Sequence, residues 1–502
     1  MVAATFSLTR DERAAAVKFQ GVPHPGRLAI GAIAAALCLS ACNLGPRYRK
    51  PDIPPPSTWR PAQPGEPEPG APGTWPSAEW WQGFHSAQLN QLMQEARQAN
   101  DDLAAAIARV TEADETARIA GAALLPSLQA TGDGTRALQK TTGVVSPPGG
   151  GPPQITGVDT TANSFNAGLG ASYQVDFWGH YRALHDAARM AAVASRYDRA
   201  TVELTVMTSV ATTYFEVLEL KERLRVATDN LAHAQEILDD LALELRVGTV
   251  TALDVAQQET TVATLQAAIP PLQQQYVQTL DALAILVGKQ PQALTVNPGT
   301  LAQLTSPPVS PGLPAELLAR RPDVAEAEAQ LVAANANIAA ARAAFFPSIS
   351  LTADGGYAST SLTNFVSPAN RVFSLTAGIT QPIFQGGALL GQYRFNKARY
   401  AELLADYHKA VISAFANVED ALVGFRQSTL EEQRQQIATD KALRAYELSQ
   451  AQLHAGTVNI LTVLNTENAL FTAQDALVQV KFARLQALVT LFSALGGGWQ
   501  QS

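Results

Sequence analysis

Residues 165–177 read FNAGLGASYQVDF, and every second side chain in this stretch is apolar. Residues 373–380, FSLTAGIT, alternate in the same way, and shorter alternating segments follow Ser127 and Ser348. A period of two residues gives a strand one apolar and one polar face. Long segments of this kind are typical of transmembrane β-strands, which face lipid on one side and a lumen on the other. They fit a soluble sandwich with one buried face equally well, so the pattern alone leaves both structures open.

These stretches belong to a unit that occurs twice in the chain. Four short matches recur in the same order at an offset of 207 to 221 residues, which predicts an internal duplication. The pairs are Leu125–Leu128 with Phe346–Ile349, Phe177–Gly179 with Phe384–Gly386, Gly248–Val250 with Gly456–Val458, and Leu286–Gly288 with Ala494–Gly496. Pro126 and Phe177 of the first half are 51 residues apart, whereas Pro347 and Phe384 of the second half are 37 residues apart. We attribute the difference to an inserted turn at residues 146–153.

Long helical segments follow each pair of strands. Residues 180–247 contain neither proline nor glycine, which predicts a helix of roughly 100 Å. The matching stretch 388–455 is interrupted only by two glycines, and both helices end at Gly-Thr-Val. Return helices run to about Leu286 and Leu495, and a seven-residue apolar repeat in the last one favours coiled-coil packing. Pro270-Pro271 predicts a kink or break in the first return helix. Helices over 89–124 and 323–345 precede the strand pairs.

The N-terminus has the pattern of an export signal. Residues 28–40 form an uncharged run, too short to span a bilayer, that follows several basic residues. The run ends in LSAC (39–42), which resembles a bacterial lipobox, so we expect Cys42 to be acylated and residues 1–41 to be removed. An ordinary signal peptide is the alternative. Eleven prolines between Leu44 and Pro76 predict an extended tether.

The composition excludes several classes of protein. The net charge is −8, which argues against nucleic-acid binding. The only cysteines are Cys38 and Cys42, and no two histidines have the helical spacing of metal ligands. No phosphate-binding GxxxxGK[ST] motif and no GxSxG motif occurs. We therefore expect no cofactor, no metal site and no enzymatic activity.

Four membrane strands in one chain cannot close a barrel, and an open sheet edge is not tolerated in lipid. Two chains would give eight strands and a barrel filled by its own side chains. Three chains would give twelve strands, enough for a water-filled lumen. The long helices would then continue the tube on one side of the membrane.

Seven motifs distributed along the chain are informative together. They are LSAC (39–42), WWQGFHSAQLNQLMQEA (80–96), YQVDFWG (173–179), RVGTVTALDVAQQE (246–259), LARRPDVAEAEAQLVAANANIAAARAAFFPSISLTADGG (318–356), QPIFQGG (381–387) and LGGGW (495–499). With these motifs, the sequence resembles the TolC-type outer membrane factors, specifically their lipidated OprM/NodT-like branch. The resemblance covers essentially the whole mature chain.

The resemblance implies a mixed α and β fold that assembles as a homotrimer. A transmembrane β-barrel, with four strands per chain and twelve per trimer, would be continued by a long periplasmic coiled-coil α-barrel. A belt would form from residues 80–92, about 288–321 and the C-terminus. The protein would lie in the outer membrane, anchored by lipid and extending into the periplasm. Its partners would be a periplasmic adaptor and an inner-membrane pump of the RND type.

These expectations divide the chain into five segments. They are a signal peptide (1–41), a lipidated tether (42–79), a first structural repeat (80–290), an equatorial segment (288–321) and a second repeat (322–502). The strand pairs are expected at about 126–177 and 347–384, and the helical hairpins at about 179–287 and 386–495.

The two Gly-Thr-Val turns are the candidate docking sites for the adaptor. They end the longest helices and should therefore lie farthest from the membrane. Helix capping explains the glycines alone but not why both turns share three residues. The turns consist of Gly248, Thr249, Val250, Gly456, Thr457 and Val458.

The gate candidates follow directly after these turns. By resemblance, this region closes the duct with an apolar ring and an acidic ring. Leu461 and Asn465 lie on one helical face, and Asn465 stands where the family pattern has an aspartate, although Asp254 is nearby. We therefore expect weak cation selection. The residues equivalent to Leu461 and Asn465 in the first half are Leu253 and Gln257.

Three functions are compatible with this sequence. The first is a passive exit duct for drugs or other small molecules in a tripartite efflux system. The second is an outer membrane duct for type I protein secretion or metal efflux. The third belongs to another class, a trimeric coiled-coil structural lipoprotein.

Overall fold

The structure is a computed structural model that describes residues 45–60, 75–145, 149–150, 154–297, 299–309 and 314–500. Cys42 and the predicted signal peptide lie outside the described residues. The main elements are α1 (Ala87–Ala99), α2 (Asp101–Ala122), β1 (Ser127–Val145), β2 (Gln154–Val175), α3 (His180–Val247), α4 (Ala252–Leu286), α5 (Pro322–Ala343), β3 (Ser348–Ser359), β4 (Arg371–Thr380), α6 (Ala388–His454) and α7 (Ile460–Ala494).

The strands form one antiparallel sheet in the order β1-β2-β3-β4. The four strands predicted for each chain are therefore confirmed. Strands β2 and β3 are separated in the chain by two long helices, yet they pair from Val175 with Ile349 to Phe165 with Ser359. Strands β1 and β4 lie at the two edges of the sheet.

The first pair of strands is longer than the sequence suggested. Beyond the end of β3 at Ser359, β1 and β2 continue to pair with each other as far as Val145 and Gln154. The additional residues of the first half therefore lengthen two strands, and attributing them to an inserted turn alone was wrong. Cross-strand hydrogen bonds extend a hairpin wherever both chains stay extended, and this stretch contains no proline to stop them.

The sheet register brings the apolar positions of all four strands onto one face. Leu128, Ala171, Ala353 and Leu375 form one row across the sheet, and Ala130, Leu169, Gly355 and Phe373 form the next. The row between them on the opposite face is Gln129, Gly170, Asp354 and Ser374. On the apolar face, Phe373 is 90% exposed and Leu375 is 79% exposed. The described part of one chain therefore presents an apolar surface that none of its own residues covers.

The helices repeat in length and in position. Helix α3 has 68 residues and α6 has 67, and both return helices, α4 and α7, have 35. The internal duplication is confirmed. Helix α4 runs without interruption through Pro270 and Pro271, so the predicted break is absent. Both prolines are exposed, and water can therefore hydrate the carbonyl groups that lose their helical partners.

The helix predicted over 89–124 is in fact two helices that meet at Asn100. The Asn100 side chain accepts a hydrogen bond from the Leu103 amide at 3.0 Å and donates one to the Leu286 carbonyl at 2.9 Å. The second repeat has a similar joint, where Arg321 Nη1 donates to the Ala494 carbonyl at 3.0 Å. Each return helix is thus tied at its end to the start of the helix that leads into the sheet.

The main core lies where these joints meet the middle of the long helices. Trp80 stacks on Phe492 with 5.1 Å between the ring centroids, and the ring centroids of Phe84 and Phe215 are 5.0 Å apart. Both tryptophans of the Trp80-Trp81 pair are buried in this core. Segments from the expected belt, including Leu294 and Leu301, join the same cluster.

The described part of the proline-rich segment lies against the body of the protein. The Asn335 side chain donates to the Pro46 carbonyl at 2.9 Å, and Lys50 pairs with Glu328 at 2.6 Å. Tyr48 and Trp59 pack against the main core. Residues 45–60 are therefore bound to the body rather than a free tether, because their aromatic side chains bury apolar surface.

Among the described residues, α7 is the one helix long and apolar enough to cross a membrane. Many of its apolar side chains, including Leu485 and Leu488, are buried, and it packs against α6 and α3. Helix α7 is accordingly a core helix of the helical part.

Candidate functional site

The turn between α3 and α4 is held by its own backbone and threonine. Gly248 adopts a left-handed conformation with φ of 79°, which favours glycine. The Thr249 amide and hydroxyl both donate to the Glu244 carbonyl at 3.1 Å. Val250 is half-buried and packs against a cluster that contains Leu241.

The turn between α6 and α7 has the same construction. Gly456 has a φ of 71°, and the Thr457 amide and hydroxyl donate to the Gln452 carbonyl at 3.0 and 3.1 Å. Val458 is half-buried. The turn geometry accounts for the shared glycine and threonine, so the recurrence does not by itself require docking. This role of the threonine hydroxyl was not predicted from the sequence.

The return helices begin differently after these two turns. Thr251 and Asp254 form a capping box, in which the Thr251 amide and hydroxyl donate to Asp254 Oδ2 at 2.9 and 2.7 Å. These hydrogen bonds lower the pKa of Asp254. In the second turn, Asn459 caps α7 by accepting from the Thr462 amide. The gate candidate Asp254 is thus part of the N-terminal cap of α4.

The other gate candidates lie on accessible surface. Leu253 is 65% exposed and Leu461 is 41% exposed. Asn465 is exposed and Gln257 is half-buried. On the opposite side of α7, Val463 and Leu464 are buried. The first turns of α7 therefore present Leu461 and Asn465 together on the face that does not pack within the chain.

Apolar packing holds the two turns together. Leu241 of the first hairpin forms a buried cluster with Ile460, Val463 and Leu464 of the second. We call this group the turn cluster. Farther along the helices, a second group, which we call the upper cluster, joins Ala234, Val262 and Phe471.

A buried polar pair, which was not predicted from the sequence, lies between these clusters. Glu467 and Gln258 are both completely buried. The Gln258 side chain donates to the Ala234 carbonyl at 2.8 Å. Burial raises the pKa of Glu467 to about 7, while the nearby Gln258 amide lowers it. The available signal was the position of Glu467 in the apolar seven-residue repeat of α7, between Leu464 and Phe471.

Ion pairs join the two hairpins closer to the main core. Arg223 of α3 contacts Asp475 of α7 through two hydrogen bonds of 2.7 and 3.2 Å and also reaches Glu219. Burial raises the pKa of Glu219 to about 7, and Arg223 partly offsets that shift. Among the described residues, no group of three or more His, Cys, Asp or Glu side chains is arranged to hold a metal ion.

Comparison with known proteins identifies the family. The outer membrane efflux protein family matches residues 92–289 and 313–497. The chain belongs to this family. The pyoverdine export outer membrane protein OpmQ of Pseudomonas aeruginosa is 41% identical over 475 residues, which cover 93% of this chain and 96% of OpmQ.

Two further members extend the comparison. The cation efflux system protein CusC of Escherichia coli O6:H1 is 31% identical, over 93% of this chain and 98% of CusC. The open-state structure of the Neisseria gonorrhoeae MtrE outer membrane channel matches with a TM-score of 0.80 and 27% identity. It covers 92% of this chain and 100% of MtrE.

These findings establish the type of protein. The chain is an outer membrane exit channel of an efflux system, extends into the periplasm, and is not an enzyme. As the outer membrane component of a tripartite system, it works with a pump and an adaptor.

Proposed function

We propose that three copies of this chain form the closed duct. The supporting observation is the sheet, which has an uncovered apolar face and two free edges, β1 and β4. Lipid does not tolerate unpaired backbone groups at a sheet edge. Because each chain contributes an even number of strands, β4 of one copy meets β1 of the next in antiparallel orientation. Twelve strands then close with the same kind of pairing throughout.

The helical hairpins continue this duct into the periplasm. Helices of 67 and 68 residues span roughly 100 Å at 1.5 Å per residue. Six hairpins from three chains form an α-barrel whose free ends are the two turns, at Gly248 and Gly456. Exposed apolar side chains on these helices, such as Ile412 and Ile437, provide contact surface for the neighbouring copies.

The partners are a periplasmic adaptor and an inner-membrane RND-type pump. Each trimer presents six turns of the same backbone construction, which suits an adaptor that binds with six equivalent elements. The hydroxyls of Thr249 and Thr457 are hydrogen-bonded within the turns, so the adaptor contacts mainly the surrounding helix surface. The gate lies beside this surface at Leu461 and Asn465.

The transported molecules are small organic compounds, with a siderophore or a drug as the expected class. Similarity supports this assignment, since the pyoverdine exporter is 41% identical and the cation exporter 31%. The thioether ligands that suit soft metal ions are scarce as well. Met93 and Met207 are buried, and the sequence holds four methionines in all.

Cys42 carries the lipid anchor, and the chain divides into a lipidated N-terminal segment (42–79), two repeats (80–290 and 322–502) and an equatorial segment (288–321). The contact of residues 45–60 with the body supports an anchor near the sheet end of the helices. Mass spectrometry of the N-terminal peptide tests the acylation. An unmodified Cys42 would contradict it.

One set of experiments tests the duct itself. The detergent-purified protein is expected to have the mass of a trimer and to give discrete conductance steps in a planar bilayer. A gene deletion should cause retention of an exported siderophore or drug, and the intact gene should restore export. A water-soluble monomer without conductance would refute the duct. Sensitivity to metal ions alone after deletion would support metal efflux instead.

A further inference from the structure

The Glu467 carboxyl is a buried titratable group that takes no part in the turns or in the gate candidates. It lies between the turn cluster and the upper cluster, one helical turn from Leu464 on one side and from Phe471 on the other. Its exposed fraction is 0%, and neither of its oxygens has a hydrogen-bond partner of normal geometry. A buried polar group without a partner is costly, so it calls for an explanation.

The neighbouring Gln258 explains how the buried Glu467 carboxyl is accommodated. Its amide nitrogen is used in the bond to the Ala234 carbonyl, and its Oε1 is buried and has no partner. The Gln258 side chain is close enough to affect the pKa of Glu467. A neutral Glu467 carboxylic acid has one O–H group that can donate to Gln258 Oε1. An ionised Glu467 can only accept: it keeps the second N–H of Gln258, which lowers its pKa, but it meets Gln258 Oε1 as a second acceptor.

No cation compensates the ionised form among the described residues. The nearest charged side chains of the surrounding helices have other partners. Tyr446 accepts from Gln450 at 2.8 Å, and its own pKa is raised by burial and by Glu467. The titratable groups that face this layer are Glu236 and His233 on α3, which pair with each other at the exposed surface, and Tyr446 on α6. From α4, the side chain that faces this layer is the uncharged Gln258.

The pair also joins the two halves of the chain. Gln258 belongs to the hairpin that carries the first turn, and Glu467 to the hairpin that carries the second. The gate candidates Leu461 and Asn465 lie within two helical turns of Glu467 on the same helix. A change in the distance between the hairpins at this layer therefore moves the gate residues.

We propose that Glu467 is a proton-operated latch, which holds the periplasmic end of the duct closed when protonated and loosens it when ionised. The proposal rests on the proposed duct. In the protonated state, the carboxyl O–H bonds to Gln258 Oε1 and ties the hairpins together. In the ionised state, the carboxylate needs water, and water reaches this layer only when the hairpins separate. With a midpoint at about pH 7, the latch changes from about 90% protonated at pH 6 to about 10% at pH 8.

The chain offers a matched control. Glu259 stands 208 residues before Glu467, at the equivalent position of the first repeat, and is exposed. Glu467→Gln keeps the shape of the side chain and provides an N–H donor for Gln258 Oε1 at every pH. Glu259→Gln removes the same charge without touching the latch. Gln258→Leu removes the acceptor and should leave the duct loose even in acid.

Conductance of the purified full-length trimer, measured between about pH 5.5 and pH 8.5, is the main test. We expect the wild-type conductance to rise several-fold and reversibly through about pH 7. Glu467→Gln should stay at the low, acidic level throughout, and Glu259→Gln should follow the wild type. A pH response that persists in Glu467→Gln, or a wild type that conducts equally at every pH, would overturn the latch.

Hydrogen exchange separates failure of the latch from failure of the duct. After correction for intrinsic exchange rates, the amides of residues 258–262 and 463–471 should lose protection above pH 7 in the wild type but not in Glu467→Gln. If this difference appears in a protein that never conducts, the duct is refuted, whereas the proton-dependent contact between the two hairpins is retained. If both proteins lose protection equally, the latch is refuted.

Discussion

Introducing arginine at neighbouring positions of β4 tests which face of the sheet meets lipid. Leu375 lies on the apolar face opposite Ala353, and Thr376 lies on the polar face opposite Thr352. Both side chains are exposed in the single chain, so replacement of either one disturbs little packing within it. The difference between Leu375→Arg and Thr376→Arg therefore reports the surroundings of the two faces.

The expected cost follows from the position of Leu375. Strand β4 has ten residues, which at about 3.4 Å per residue and a tilt of about 40° span close to the ~25 Å apolar band of an outer membrane barrel. Leu375 lies near the centre of the strand, so arginine there should cost about 2–4 kcal/mol per chain. Three copies far apart add nearly independently, for a total of about 6–12 kcal/mol per trimer.

Refolding into lipid vesicles at increasing urea concentrations measures this cost through tryptophan fluorescence, and unboiled gels report the fraction of trimer. Leu375→Arg should lower the midpoint and the trimer yield. Thr376→Arg should leave both near the wild type and change single-channel conductance instead. Equal destabilisation by the two variants would refute the assignment of the lipid face.

Three further predictions concern the helical part. Asn100→Ala should lower the free energy of unfolding by about 1–3 kcal/mol in thermal or urea unfolding, because it removes a helix cap and orphans the Leu286 carbonyl, whereas Asn100→Asp should retain the cap. Leu461→Ala should raise single-channel conductance and Asn465→Asp should increase the preference for cations in a salt gradient; no change in either would place the gate elsewhere. Burial raises the pKa of Glu326 to about 7, above its ordinary value of 4.5, so its contribution to stability is fully present below pH 4.5 and is lost as the pH rises through 7, by no more than about 3 kcal/mol. Urea unfolding at several pH values should show this loss in the wild type and not in Glu326→Gln.

The predictions from sequence succeeded where the deciding interactions are local. Alternation in residues 165–177 identified β2, and the absence of proline and glycine from 180–247 identified α3. Gly248 and Gly456 marked the helix ends because a left-handed residue is a property of the local backbone. The strand count followed from the duplication, since a repeated sequence repeats its elements.

Predictions failed where a distant group intervenes. Nothing near Asn100 shows that its amide will bond to the carbonyl of Leu286, so the division of one predicted helix into two was not apparent. The extension of β1 and β2 past the end of β3 depends on pairing between strands. The role of the threonines in the turns was missed because their hydroxyls bond to carbonyls five residues earlier, in a geometry that exists only after the helix has ended.

The sequence by itself determined the kinds of element in this protein, their order and their repetition, because period, helix stops and glycine turns depend on neighbouring residues. It also determined that one face of the strands is apolar. The tertiary structure decided that β2 and β3, from different repeats, lie side by side, and that the two turns share one apolar cluster. Only the tertiary structure enclosed Glu467 opposite Gln258, since burial of a carboxyl depends on helices that are more than 200 residues apart in the chain.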